Sequence, residues 1–237
     1  MTMPRARKRA SFTLPELLVV LAIFALLFVT ILPWIARIRR VSSRITCVNK
    51  VKQIGLAFQI FGIDNEDKFP MKVSMTNGGS QEFVEDARQM WRHFAAMSNE
   101  LSTPKVLICE EDRGGRKEAT VFSADSNAAW RDPDGKVVKH VPFNQNANVS
   151  YFVGVDSEKK WTDSLLAGDR HLTVGKREIA TALVLLTNQS LVAWSQRLHK
   201  GYGNVAFGDG RVEQLTSPRL REAVSTTGLA TNRLALP

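Results

Sequence analysis

Two cysteines, Cys47 and Cys109, and four histidines, His93, His140, His171 and His199, are the side chains here best suited to metal binding, nucleophilic attack or proton transfer. The cysteines form no Cys-x-x-Cys pair, and no Cys/His cluster has zinc spacing. An even pair suits a disulfide in an exported chain and two free thiols in a cytosolic one, so the compartment decides between them. His199 is followed by nine residues and then Asp209-Gly210. A strand between them would hold His199 and Asp209 roughly 25–30 Å apart at ~3.3 Å per residue, so a turn and a histidine fixing a loop are expected rather than a catalytic or metal pair. Ser195 with His199 and an aspartate could make a nucleophile set, but no G-x-S-x-G elbow accompanies it. Gly168-Asp169-Arg170-His171 carries polar groups able to line a site, and Asp64, Asp67 and Asp156 could contribute to calcium binding, although no spacing singles out ligands. No P-loop or G-x-G-x-x-G is present. We expect no metal, cofactor or catalytic residue.

The elements that position these groups begin with an apolar run. Leu17 to Ala36 contains 20 residues without a charge and with one hydroxyl, Thr30. As a helix it spans about 30 Å, the hydrocarbon thickness of a bilayer. Trp34 suits an interface, and Pro33 lies near the far end, where a kink costs little. A cleaved secretory signal fits poorly, because the run is long and Trp34-Ile35-Ala36 is a poor small-x-small site. Glu16 stands directly against the apolar run. A carboxylate there is costly to carry into lipid, although at the water boundary it complements the helix dipole.

The net charge of +9 suggests nucleic acid until it is divided along the chain. Of 32 basic residues ten lie in 1–52, beside a single acid, which leaves 22 of each sign in 53–237. That neutral remainder lacks the one-signed field that phosphate binding needs, so no nucleic-acid partner is expected. The basic excess flanks the apolar run, where it can meet lipid headgroups.

Past the run, Cys47, Val51, Ile54, Phe58 and Phe61 recur at spacings of three and four, a helical stripe broad enough to seat on a sheet. One helix is expected over 12–61, with Gly62 as its stop. Residues 71–79 read as loop, 86–101 as an amphipathic helix, 105–109 as a buried strand, and 110–148 as a long loop region with one strand at 119–122. Strands are expected at 150–155, at 182–187 and 190–194 as a hairpin about Asn188-Gln189, and at 204–207 and 211–215 about Asp209-Gly210. A short helix over 218–226 closes the chain. The fold class is α+β: a long N-terminal helix packed on an antiparallel sheet. The expected divisions are a basic leader (1–11), a transmembrane half-helix (12–36), a domain half-helix (37–62) and a globular part (63–237).

The stretch Phe12-Thr13-Leu14-Pro15-Glu16 and the apolar run after it resemble the signal of type IV pilins and pseudopilins. The resemblance implies cleavage by a prepilin peptidase between Ser11 and Phe12, with methylation of the new Phe12 amine. The family usually has Gly before the cut; Ser11 is the small residue here. Glu16 would meet the free amine of a neighbouring subunit in an assembled filament, neutralising a carboxylate otherwise unsolvated among helices. His199 with Asp209-Gly210, and the segments 47–58, 101–109 and 150–156, resemble a processing-associated branch of prepilin-like proteins. Flanking charge is balanced, and the resemblance places the leader in the cytoplasm and the domain in the periplasm. In an exported domain Cys47 and Cys109 would be joined, closing a loop worth roughly 4 kcal/mol of chain entropy. The implied protein is a non-enzymatic subunit of a type II secretion or type IV pilus-like filament, anchored in the inner membrane, with other pilin-like subunits as partners. The rival class is a membrane-tethered binding domain or hydrolase.

Overall fold

The computed structural model describes residues 14–112, 115–123, 130–131, 137–138, 140–175 and 177–237, with the backbone alone at 32–43, 130–131 and 137–138. Ser11 and Phe12, the expected cleavage position, lie outside the described residues. The chain divides into two compact units, Met1–Ser43 and Arg44–Pro237.

Helix α1 runs from Leu14 to Asp64 and continues through Pro33. It passes the expected stop at Gly62. Its end falls at Asp64 because Glu66 and Asp67 adopt left-handed backbone (φ 57° and 60°) and Asp67 N donates to Gly62 O.

In the second unit the helix buries Cys47, Val51, Ile54, Ala57, Phe58 and Phe61. Gly55 brings it close to the sheet, since a Cβ there would stand 3.4 Å from Ala206 Cβ. Phe58 meets Phe69 and Phe94 edge-on at centroid distances of 5.8 and 6.2 Å.

Eleven strands are described: β1 (Trp130–Arg131), β2 (Val137–Val138), β3 (Tyr151–Gly154), β4 (Leu165–Asp169), β5 (Leu172–Val174), β6 (Arg177–Glu178), β7 (Ala182–Leu186), β8 (Val192–Trp194), β9 (Tyr202–Phe207), β10 (Val212–Thr216) and β11 (Asn232–Leu236). Six form one antiparallel sheet in the order β10-β9-β4-β3-β11-β7. β6-β5-β8 make a second sheet, and β1-β2 a two-stranded ribbon. Strand alternation sorts the large sheet's side chains into two cores. Tyr151, Val153, Ala167, Ala206 and Ala235 face the helical stripe of α1. Phe152, Leu165, Val205, Phe207, Leu234 and Leu236 face the opposite way, toward Leu220 and Val224 of helix α4 (Ser217–Thr226). This is the expected α+β arrangement, with the sheet buried on both faces.

Several expectations need correction. The run 105–109 is no strand: it begins as a 3-10 turn over Pro104–Leu107, started by Pro104 and capped by Thr103 Oγ1. Proline cannot donate to a ladder and its φ suits a helical start, although Val106 to Cys109 are buried as expected. The helix expected over 86–101 is a broken series, a 3-10 turn at Ala87–Gln89, then α2 (Trp91–Ala95) and α3 (Ser98–Leu101). Its buried side, Met90, Phe94, Met97 and Leu101, is preserved. β7 and β8 do not form a hairpin, because β7 pairs with β11 while β8 pairs with β5. The hairpin about Asp209-Gly210 is present, β9 against β10, with Gly210 at φ 88°. The 119–122 segment contributes an isolated bridge, Val121 to Pro142.

Candidate functional site

Two places concentrate chemistry, one in each unit. In the first, every residue from Leu14 to Ile31 is exposed, and this is the one helix among the described residues long and apolar enough to cross a membrane. Thr30 Oγ1 donates back to the Leu26 and Leu27 carbonyls, both at 3.1 Å, so the hydroxyl needs no outside partner in hydrocarbon. Glu16 sits in the first turn, where the positive end of the helix dipole favours a carboxylate.

In the second unit, three segments bring Cys47, Cys109 and His199 together. Cys47 belongs to the buried stripe of α1, and Cys109 follows the turn that Pro104 starts. Lys50, one turn beyond Cys47, donates to Ile108 O at 2.8 Å and to Glu110 Oε1 at 2.9 Å, which ties the Cys109 segment to the helix. The sulfurs lie 2.6 Å apart as free, buried thiols. His199 sits in the loop between β8 and β9, its side chain buried. Its Nε2 is 3.5 Å from Cys109 Sγ and 3.6 Å from Asp169 Oδ2, and its Nδ1 is 3.1 Å from Glu111 Oε2. Its backbone N–H donates to Glu111, whereas the buried Nδ1, close to the same carboxylate, makes no hydrogen bond among the described residues. Asp169, at the end of β4, accepts from Asn204 N at 2.7 Å and from Asn204 Nδ2 at 2.9 Å.

The electrostatics follow from this packing. Burial pushes the Asp169 carboxyl up to about 6 despite the opposing pull of His199. Cys47 is drawn down to about 5, chiefly by its hydrogen bond with Cys109 and then, against burial, by His199. Cys109 moves up, because Cys47 and burial both disfavour its charge. Burial opposes protonation of His199, but Cys47 and Asp169 raise it overall.

The donor atoms of Cys47, Cys109 and His199 all lie within 4.8 Å of one another. Two thiolates on a tetrahedral zinc, at ~2.3 Å each, stand about 3.8 Å apart. The observed 2.6 Å is far shorter and suits a sulfur–sulfur bond better than a metal.

The remaining candidates are placed apart. Asp209 accepts from Arg211 N and Nη1 in the turn after β9, at 3.0 and 2.7 Å, with β9 between it and His199. Ser195 Oγ accepts from Arg197 N at 3.2 Å, and no hydrogen bond joins it to His199 among the described residues. Arg170 and His171 serve Asp112 instead, at 2.7 and 3.0 Å, and hold its carboxyl well below the usual range against the opposing effect of burial. Asp67 pairs with Lys159, and Asp156 with Arg233, so cationic side chains already occupy two of the three proposed calcium carboxylates. Sequence reasoning missed Glu111 and Asn204 altogether and singled out Asp169 only within a polar tetrapeptide. No linear spacing joins any of them to His199.

Among comparisons with known proteins, a family model described as a prokaryotic N-terminal methylation motif matches residues 6–32. No curated protein and no solved structure matches the chain. The match supports a type IV pilin-like signal at the head of α1, and with the exposed apolar helix it supports a membrane-anchored, single-pass chain.

Proposed function

We propose that this chain is a non-enzymatic pilin-like subunit that assembles through α1 into a type II secretion or type IV pilus-like filament, displaying the unit 44–237 in the periplasm. The observation that carries this reading is the methylation motif over 6–32 coinciding with a helix whose apolar side chains from Leu14 to Ile31 are exposed. Fully burying a Leu, Ile, Val or Phe is worth roughly 1.5–3 kcal/mol, and each of these side chains, 39–75% exposed, forgoes part of that while it faces water. Lipid, or like helices in a filament, removes that cost. The prepilin peptidase would cut between Ser11 and Phe12, and the methylated Phe12 amine of one subunit would meet Glu16 of another. That pairing sets register, because an unpaired carboxylate in hydrocarbon costs several kcal/mol.

Glu16→Ala is expected to leave the domain folded and membrane-anchored but to abolish co-assembly, read as loss of cross-linkable oligomers in membrane and filament fractions. Normal assembly of this variant sinks the mechanism. Mass spectrometry of the mature N-terminus separates this reading from a plain tether: a methylated Phe12 supports the filament subunit, and an intact Met1 supports the tether.

A further inference from the structure

The assembly reading leaves His199 without a task, although it is held from two sides in the interior of the second unit. We propose that Cys47 and Cys109 are a redox-active thiol–disulfide pair that staples α1 to the 109–112 segment, with His199 as its acid–base partner and the loop carrying His199 as its cover. The inference rests on the geometry of the unit 44–237 and not on assembly, so either reading can fail alone.

Three observations converge. The sulfurs lie 2.6 Å apart. That is well inside a non-bonded contact of roughly 3.5–4.0 Å and only about 0.6 Å from the ~2.05 Å bond. His199 Nε2 stands 3.5 Å from Cys109 Sγ, with Asp169 3.6 Å from the same nitrogen and Glu111 3.1 Å from the other. An imidazolium there would have a carboxylate at each nitrogen. Third, His199, Lys200 and Gly201 are consecutive left-handed residues, with φ of 47°, 52° and 84°. Two of them bear a Cβ, so the loop is strained and stays closed only because its surroundings hold it. Lifting it relieves that strain and opens a route to sulfurs that are otherwise buried.

The chemistry balances with an oxidant of one class, the disulfide of a small thiol or of a thiol–disulfide oxidoreductase. The Cys47 thiolate attacks that disulfide, forms a mixed disulfide and expels one thiolate. That thiolate takes the proton held on His199, and the neutral imidazole then accepts the proton of Cys109, which attacks the Cys47 sulfur, forming the internal bond and expelling the second thiolate. The two protons lost by the cysteines end on the two released thiols. The titratable groups facing His199 are Cys47 on α1, Cys109 and Glu111 on the 109–112 segment, and Asp169 on β4; Tyr151 on β3 is coupled to Asp169 and both sulfurs. Their balance keeps Cys47 ionised down to about 5.

The test uses the full chain extracted in detergent, reduced with a phosphine and reoxidised with oxidised glutathione from pH 6 to 8, then alkylated and weighed. The expected product is lighter than the unalkylated reduced chain by two hydrogens and carries neither glutathione nor alkyl groups. Its rate of closure should change less than about threefold over that range, whereas an unassisted cysteine gains nearly tenfold per pH unit below its ordinary pKa. His199→Gln should close about tenfold more slowly at pH 6 and regain the steep dependence. A steep profile in the wild type overturns the proposal without needing any variant to fold. So do identical profiles for wild type and His199→Gln, or two thiols that stay alkylatable or hold zinc after oxidant is added.

Discussion

His93 shows how much a single buried side chain can contribute. Its Nδ1 meets Ser80 Oγ at 2.8 Å, and burial alone draws its pKa from 6.5 to about 4. The unfolded chain therefore takes up that proton first as the pH falls. The stability His93 allows is complete above about 6.5 and shrinks toward 4. Asp169, raised to about 6, acts in the opposite sense over an overlapping window, since its folded form binds the proton more readily. The clean observable is therefore a difference. The unfolding free energy of wild type minus that of His93→Gln should fall by about 2–3 kcal/mol between pH 7 and pH 4.5, read from urea titrations. None of this was visible in the chain, where His93 is one of four scattered histidines. Its environment comes from Ser80 and from a core assembled by segments far from it.

Elements were legible where the local signal was strong. The stripe Cys47-Val51-Ile54-Phe58-Phe61 is buried as its spacing required, and the Asp209-Gly210 turn joins β9 to β10. Reading failed where a short apolar run could serve two geometries. Residues 105–109 are buried, yet Pro104 turns the chain helically at their start. The 182–194 region contains both expected strands and a real turn, Ser190 N to Thr187 O at 3.0 Å, but its strands choose partners in different sheets. β11, at the C-terminus, was missed, although it lies between β3 and β7. The join of β3 to β4 offers a test. A Cβ on Gly154 would stand 1.8 Å from Leu165 O, a backbone atom with no rotamer to change. Gly154→Ala should therefore cost about 3 kcal/mol, seen as a lower denaturant midpoint, and a loss under 0.5 kcal/mol would contradict that packing.

At the scale of the molecule, both hydrophobic cores lie within residues 44–237. A chain truncated to begin at Arg44 should unfold cooperatively and remain monomeric without detergent, while the full chain should need detergent because of Leu14–Ile31. Sedimentation with and without detergent checks this, and a truncated chain that is unfolded or aggregated would show that the first unit is needed for folding. Local chemistry alone determined the apolar run, the helical stripe and the tight hairpin, because each depends on residues within a few positions of one another, and composition alone set the neutrality of 53–237. Apart from that hairpin, tertiary structure alone decided which strands pair, and it alone decided what surrounds His199. Cys47 and Cys109 are separated by 62 residues, and Cys109 and His199 by 90. Over such separations the route of the chain, not residue type, sets the distance, and burial of both faces of one sheet is what chooses the route.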